Sequence, residues 1–125
     1  MNNLRVMVVD DSTVTIKKLT QILEQIGHQV VCISKTGTDA LALYEQYQPD
    51  IVTMDITMPD MDGIVATSRI IKVFPNALII MVTAHGQEQM VIESIEAGAK
   101  GYVLKPINPD KLQEMICKVY EKYHL

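Results

Sequence analysis

Leu4-Arg5-Val6-Met7-Val8-Val9-Asp10-Asp11-Ser12 is the stretch on which the fold turns. Apart from Arg5, residues 4–9 are apolar and rich in valine, without the alternation that a strand with one wet face carries. A strand of that kind is covered on both sides, the condition of a central strand in a parallel sheet flanked by helices. Asp10 and Asp11 then end it abruptly, so the run is too short for a signal peptide or a membrane span.

Outward from this stretch the same unit repeats. Ile16, Leu19, Ile22, Leu23 and Ile26 recur at helical spacing, and Gly27 supplies the stop. Val30 to Ile33 reads as a second strand, and Ala40, Leu41, Tyr44 and Tyr47 as a helix ended by Pro49. Ile51 to Met54 is a third strand, followed by a loop with Met58-Pro59 and Asp62-Gly63. Ile64, Ile70, Ile71 and Phe74 mark a helix closed before Pro75, and Leu78 to Val82 a fourth strand. Met90, Val91, Ile95 and Ala97 predict a helix stopped at Gly98, and Tyr102 to Leu104 a short fifth strand. Asn108-Pro109 is an N-cap with proline at the first helical position, and Leu112, Met115, Ile116, Val119 and Tyr120 carry the last helix. Five strand–helix units with short connections predict an α/β fold, a doubly wound five-stranded parallel sheet with five helices. A barrel would need more units.

Reactive polar residues stand at the ends of these strands: Asp10 and Asp11 after the first, Asp55 after the third, Thr83 after the fourth, Lys105 after the fifth. Ser34 after the second adds little. Open parallel sheets bind ligands beyond the carboxyl ends of their strands. Each residue also has a plain structural use: the aspartates as caps ahead of Thr13, Lys105 at the surface, Thr83 as a strand end. It is their joint occurrence that favours a site.

The bulk numbers narrow the alternatives. With 125 residues, 48% of them hydrophobic, the chain is expected to form one domain, 1–125, with one filled core. One phenylalanine and five tyrosines leave that core to aliphatic residues and methionine. A net charge of -4 without a Lys/Arg run argues against nucleic acid as a partner. Cys32 and Cys117 lack metal-ligand spacing and are expected as buried thiols of a reducing cytosol.

The runs Val8-Val9-Asp10-Asp11-Ser12, Asp50 to Gly63, Thr83-Ala84, Gly98-Ala99-Lys100-Gly101-Tyr102 and Lys105-Pro106 resemble the receiver domain of bacterial two-component response regulators. The likeness covers essentially the whole chain. Thr53 to Pro59 and Gly86 to Lys100 are similar in particular to the single-domain chemotaxis regulators of the CheY type. The resemblance implies strand order 2-1-3-4-5, the flavodoxin-like arrangement, in which the winding reverses between strands one and three. Asp10, Asp11 and Asp55 then share one crevice. Two like charges ~4 Å apart repel by about 4 kcal/mol at an effective dielectric near 20, so a cation must neutralise them or one must hold a proton. Oxygen-only donors favour a hard ion, Mg2+ above others.

What the family implies for single residues follows. Asp55 takes a phosphoryl group from a phosphohistidine on a sensor histidine kinase of the CheA type and is itself a ligand of Mg2+, with Asp11 binding the ion directly, Asp10 mainly through water, and the Thr57 backbone carbonyl completing the set. Lys105 pairs with Asp55 and then with the phosphoryl group; Thr83 moves to hydrogen-bond it, Tyr102 swings inward, and small Ala84 leaves the site uncrowded. Thr57 and His85 influence how long the phosphoryl group survives. The implied protein is a cytoplasmic, monomeric signalling switch rather than a turnover enzyme. Its target, docking on the face of the fourth helix, fifth strand and last helix near Tyr102, is expected to be a flagellar motor switch protein, and a phosphatase is a further expected partner.

Other readings compete. An aspartyl-phosphate phosphatase of the haloacid dehalogenase type needs a second aspartate where Thr57 stands, and a cap insertion. A flavodoxin-like cofactor carrier needs a Ser/Thr/Gly phosphate loop where Asp10-Asp11 would repel one. Within the family, a phosphorelay intermediate and the receiver of a longer DNA-binding regulator remain alternatives to the chemotaxis role.

Overall fold

The computed structural model describes residues 3–84 and 86–124. Strands β1 (Arg5–Val9), β2 (Gln29–Ser34), β3 (Ile51–Met54), β4 (Ile79–Thr83) and β5 (Gly101–Leu104) alternate with helices α1 (Thr13–Gln25), α2 (Gly37–Tyr47), α3 (Gly63–Val73), α4 (Glu88–Glu96) and α5 (Pro109–Tyr123). The strands form one parallel sheet in the order β2-β1-β3-β4-β5, as the resemblance implies.

Local chemistry sets the helix ends. Ser12, Thr36, Asp62 and Asn108 each accept, through the side chain, an amide of the first helical turn: Thr15, Asp39, Val65 and Lys111. Ser12 therefore caps α1, which frees Asp10 and Asp11 from the capping role open to them in the sequence. α4 starts at Gln87 without a side-chain cap bond and buries only Ser94. Gly27 (φ 97°) and Gly98 (φ 112°) take the left-handed conformation that stops α1 and α4. For α2 the stop lies one residue before the expected Pro49: Gln48 is left-handed at φ 46°. The Arg5 guanidinium donates to the last carbonyls there, Tyr47 O at 2.6 Å and Gln48 O at 2.8 Å.

The sheet divides the core in two, because successive side chains of a strand point to opposite faces. Val6, Val8, Ile51, Ile80, Val82 and Val103 face α1 and α5. Met7, Val9, Val52, Met54, Ile79 and Met81 face the other side, where Ala40 and Tyr44 of α2 and Ala66 and Ile70 of α3 cover them. The methionines expected to fill the core do so on this second face, with Met58 joining from the loop after β3. Cys32 is buried as expected, whereas Cys117 is only partly covered.

Gly63 lets two elements approach where a side chain would block them. A Cβ on Gly63 would lie 1.9 Å from the backbone oxygen of Asp55, so α3 begins against the end of β3 only because that position has no side chain. Gly63→Ala is therefore expected to lower unfolding stability by about 1–3 kcal/mol or more, the range for overpacking in a fixed backbone, measurable by urea titration. An unchanged midpoint would mean that the loop yields freely.

Candidate functional site

The register carries each strand one residue past its end in step with its neighbour. Asp10 N donates to Ser34 O (3.0 Å), Asp55 N to Val9 O (2.9 Å) and Lys105 N to Thr83 O (2.8 Å). These ladder bonds put the polar residues on one rim, at the carboxyl edge of the sheet. Strand alternation then sorts them. Asp10 follows Val8, Asp55 follows Ile51 and Thr53, and Lys105 follows Val103, all on the α1/α5 side. Thr83 follows Ile79 and Met81 on the other side, where Tyr102 also packs.

Oxygens of Asp10, Asp11 and Asp55 all lie within 4.8 Å of one another. Asp10 is 2% exposed and Asp55 8%, while Asp11 stands open to solvent. Lys105 Nζ reaches between the two buried acids, 3.0 Å from Asp10 Oδ2 and 3.5 Å from Asp55 Oδ2. The remaining oxygens are held by backbone: Ser12 N donates to Asp10 Oδ1 and Ile56 N to Asp55 Oδ1, each at 2.9 Å. One ammonium against three carboxylates leaves the cluster short of positive charge. Burial, and next the Asp10 charge, push the Asp55 carboxyl above its ordinary range; Lys105 and the Ile56 amide work against that rise. The donor set fits a hard divalent ion: oxygens only, clustered, partly open on the Asp11 side.

Asp10, Asp11, Asp55 and Lys105 are thus brought together. Thr83 is fully buried at the end of β4, next to Lys105 through their shared ladder bond. Tyr102 is half-buried on β5, and burial raises its phenol above the usual value. The Thr57 side chain is exposed at the rim and so is Ala84; His85 lies outside the described residues. The Lys105–Pro106 peptide is cis. One residue of the rim escaped the sequence reading: Asp60, whose carboxylate accepts hydrogen bonds from the first turn of α2. It is one of three aspartates in residues 55–62, and no local signal separates it from its neighbours.

The fold and this rim define a class, the phosphorylation-controlled receivers of two-component signalling, and comparison with known proteins agrees. The family model for the response regulator receiver domain matches residues 6–117. This chain belongs to that family. It is 45% identical over 115 residues to the chemotaxis protein CheY of Thermotoga maritima, covering 92% of this chain and 96% of that one. To CheY of Bacillus subtilis it is 43% identical over 114 residues, covering 91% and 95%. Among solved structures, the CheX-CheY-BeF3-Mg2+ complex of Borrelia burgdorferi superposes with a TM-score of 0.91 at 38% identity, over 95% of this chain and 90% of that one. The chain is a response regulator of the CheY-like kind, activated by phosphorylation.

The electrostatics of the rim carry a pH dependence. A carboxyl whose folded pKa is raised binds its proton more tightly folded than unfolded, so stability falls as pH rises from the unfolded value toward the folded one. Without a divalent ion, Asp55→Asn is expected to raise the melting temperature at neutral pH. That gain should shrink as pH falls from the raised folded value toward about 4 and vanish below it, where Asp55 is protonated in both states. A variant that melts below the native protein at pH 7 would show that the Lys105 pair outweighs burial and repulsion.

Proposed function

We propose that Asp55 is the phosphoacceptor of a Mg2+-dependent switch, with Asp10, Asp11, Asp55 itself and the Thr57 carbonyl as the ion's protein ligands. The observation that carries the reading is the convergence of three carboxylates and one ammonium on a single half-buried crevice. A carboxylate oxygen of Asp55 attacks the phosphorus of a phosphohistidine: the new P–O bond forms as the P–N bond breaks, and imidazole leaves. Bound Mg2+ offsets charge on the phosphoryl oxygens. The Ile56 amide fixes the plane of the attacking carboxylate. Lys105 already stands between Asp10 and Asp55 and turns its ammonium to the incoming group. The Thr83 hydroxyl and the Tyr102 ring lie toward the opposite side of the sheet, so a shift of Thr83 toward the phosphoryl group carries the signal through β4 and β5. Thr57 and His85 tune the lifetime of the aspartyl phosphate.

A hydrogen bond to a charged group contributes about 1.5–3 kcal/mol. Inverting a 1:99 equilibrium takes roughly 5.5 kcal/mol, so a target that prefers the active form supplies part of the difference. The target's place is the α4–β5–α5 face. Ile92, Ile95 and Leu104 are large apolar residues exposed there, beside a cleft of about 480 Å³ lined in part by Tyr102, Lys105, Lys111, Met115 and Lys118. Such a surface suits an acidic peptide with an apolar side. With relatives that are chemotaxis proteins, the donor in this reading is a CheA-like kinase, the target a flagellar motor switch protein and the route back a phosphatase. In this reading the chain acts as a single-domain, cytoplasmic, monomeric switch rather than a turnover enzyme. Among the described residues no helix is long and apolar enough to cross a membrane.

Incubation with acetyl phosphate tests the chemistry: intact mass should rise by one phosphoryl group with Mg2+, and neither without the metal nor in Asp55→Asn. A gain that survives Asp55→Asn places the acceptor elsewhere. For the output face, Tyr102→Ala should change the affinity for the motor-switch target in at least one phosphorylation state, read by calorimetry. Equal affinities in both states remove Tyr102 from the interface.

A further inference from the structure

We propose that Asp60 is a positioning residue for the acidic site: fastened to the first turn of α2, it holds the β3–α3 loop so that the Thr57 carbonyl is presented to the divalent ion. The inference rests on reading Asp10, Asp11 and Asp55 as that ion's site. Between Asp55 and Gly63 the chain makes an excursion from the rim, closed at its base by Gly63 N donating to Ile56 O at 2.7 Å. Inside, Met58 is buried in the core of the α2/α3 side. The outer end is held by Asp60: Oδ1 accepts the Gly37 amide at 3.2 Å and Oδ2 the Thr38 amide at 2.9 Å, together with the Thr38 hydroxyl.

The first-turn amides of a helix have no partner within it, and the helix end is positively polarised, so a carboxylate supplied from another element is held there by two effects at once. These bonds keep the Asp60 carboxyl at about 2, well below the ordinary carboxylate range, and the anchor is charged at every physiological pH. Contact continues at the next residue. A Cβ on Gly37 would lie 2.8 Å from Met61 O and 3.0 Å from Met61 Cβ, so the loop rests directly on the helix. The link from Asp60 back to the rim is short and stiff, because Pro59 has a fixed φ and biases Met58 toward extended backbone. Displacing Asp60 therefore displaces Thr57, three residues away.

A mere helix cap would lose α2 stability with no effect on the ion, and two substitutions separate the cases. Asp60→Ala removes the anchor. Gly37→Ala leaves the Asp60 carboxylate in place but forces the Met61 backbone, and the loop with it, away from α2. Mg2+ affinity of the full chain is measured by calorimetry and by the shift of the Thr57 and Met58 amide resonances, alongside the melting temperature in EDTA. Asp60→Ala is expected to weaken Mg2+ about tenfold, with Asp60→Asn recovering part of it through its remaining acceptor oxygen. Gly37→Ala is expected to weaken Mg2+ by the same displacement of the loop, and its melting temperature in EDTA reports separately the cost of overpacking against the Met61 backbone. Affinities within about twofold of the native protein in both alanine variants overturn the proposal; should Asp60→Ala not fold, Gly37→Ala decides alone. Native protein that takes up no Mg2+, and matches Asp11→Ala in this, overturns the ion site itself and the proposal with it.

Discussion

The structure depends on holding like charges together. Parallel strands ending in register place the carboxylates of Asp10 and Asp55 at one edge, beside Asp11, within a span of 4.8 Å. At that separation mutual repulsion rivals the net stability of a small domain unless something offsets it. The offset inside the chain is a single ammonium, Lys105, at 3.0 and 3.5 Å from the two buried acids. The cluster is left incompletely neutralised, and a site of that kind draws a hard cation. The apolar ladders of β1 and β3 beneath it make the arrangement affordable, since Val8, Val9, Ile51 and Met54 are almost fully buried and the strands cannot spread to relieve the acids.

The two-sidedness of the sheet gives the second constraint. Because side chains alternate, the acids and the lysine emerge toward α1 and α5, whereas Thr83 and Tyr102 belong to the side covered by α2 to α4. The two sides meet at the rim, where β4 and β5 are joined by the bond from Lys105 N to Thr83 O. α4, which has no side-chain cap bond and buries only Ser94, is the helix with the least holding it in place.

The loop after β3 joins the two constraints. From the end of β3 it carries Met58 into the core, Asp60 onto α2 and Asp62 onto the start of α3. Three nearby residues thus tie the loop to the core, to α2 and to α3, so it is fastened along its length rather than free.

Period and punctuation were enough to read the elements. Unalternated apolar runs marked buried strands, 3.6-residue spacing marked helices, and Gly27, Gly98 and Asn108-Pro109 marked their ends; Gln48 was missed as a stop because its left-handed turn is held by Arg5, more than forty residues away in sequence. The strand-end residues Asp10, Asp11, Asp55, Thr83 and Lys105 were likewise visible, since parallel strands must all deliver their carboxyl ends to one edge. By itself, then, the sequence determined which residues share that edge, because this follows from strand direction alone. Only the tertiary structure decided which face each one takes, that Ser12 rather than an aspartate caps α1, and that Asp60 is bound to α2. Those outcomes depend on register and on contacts between segments distant in the chain, and a linear pattern carries no information about the distance between them.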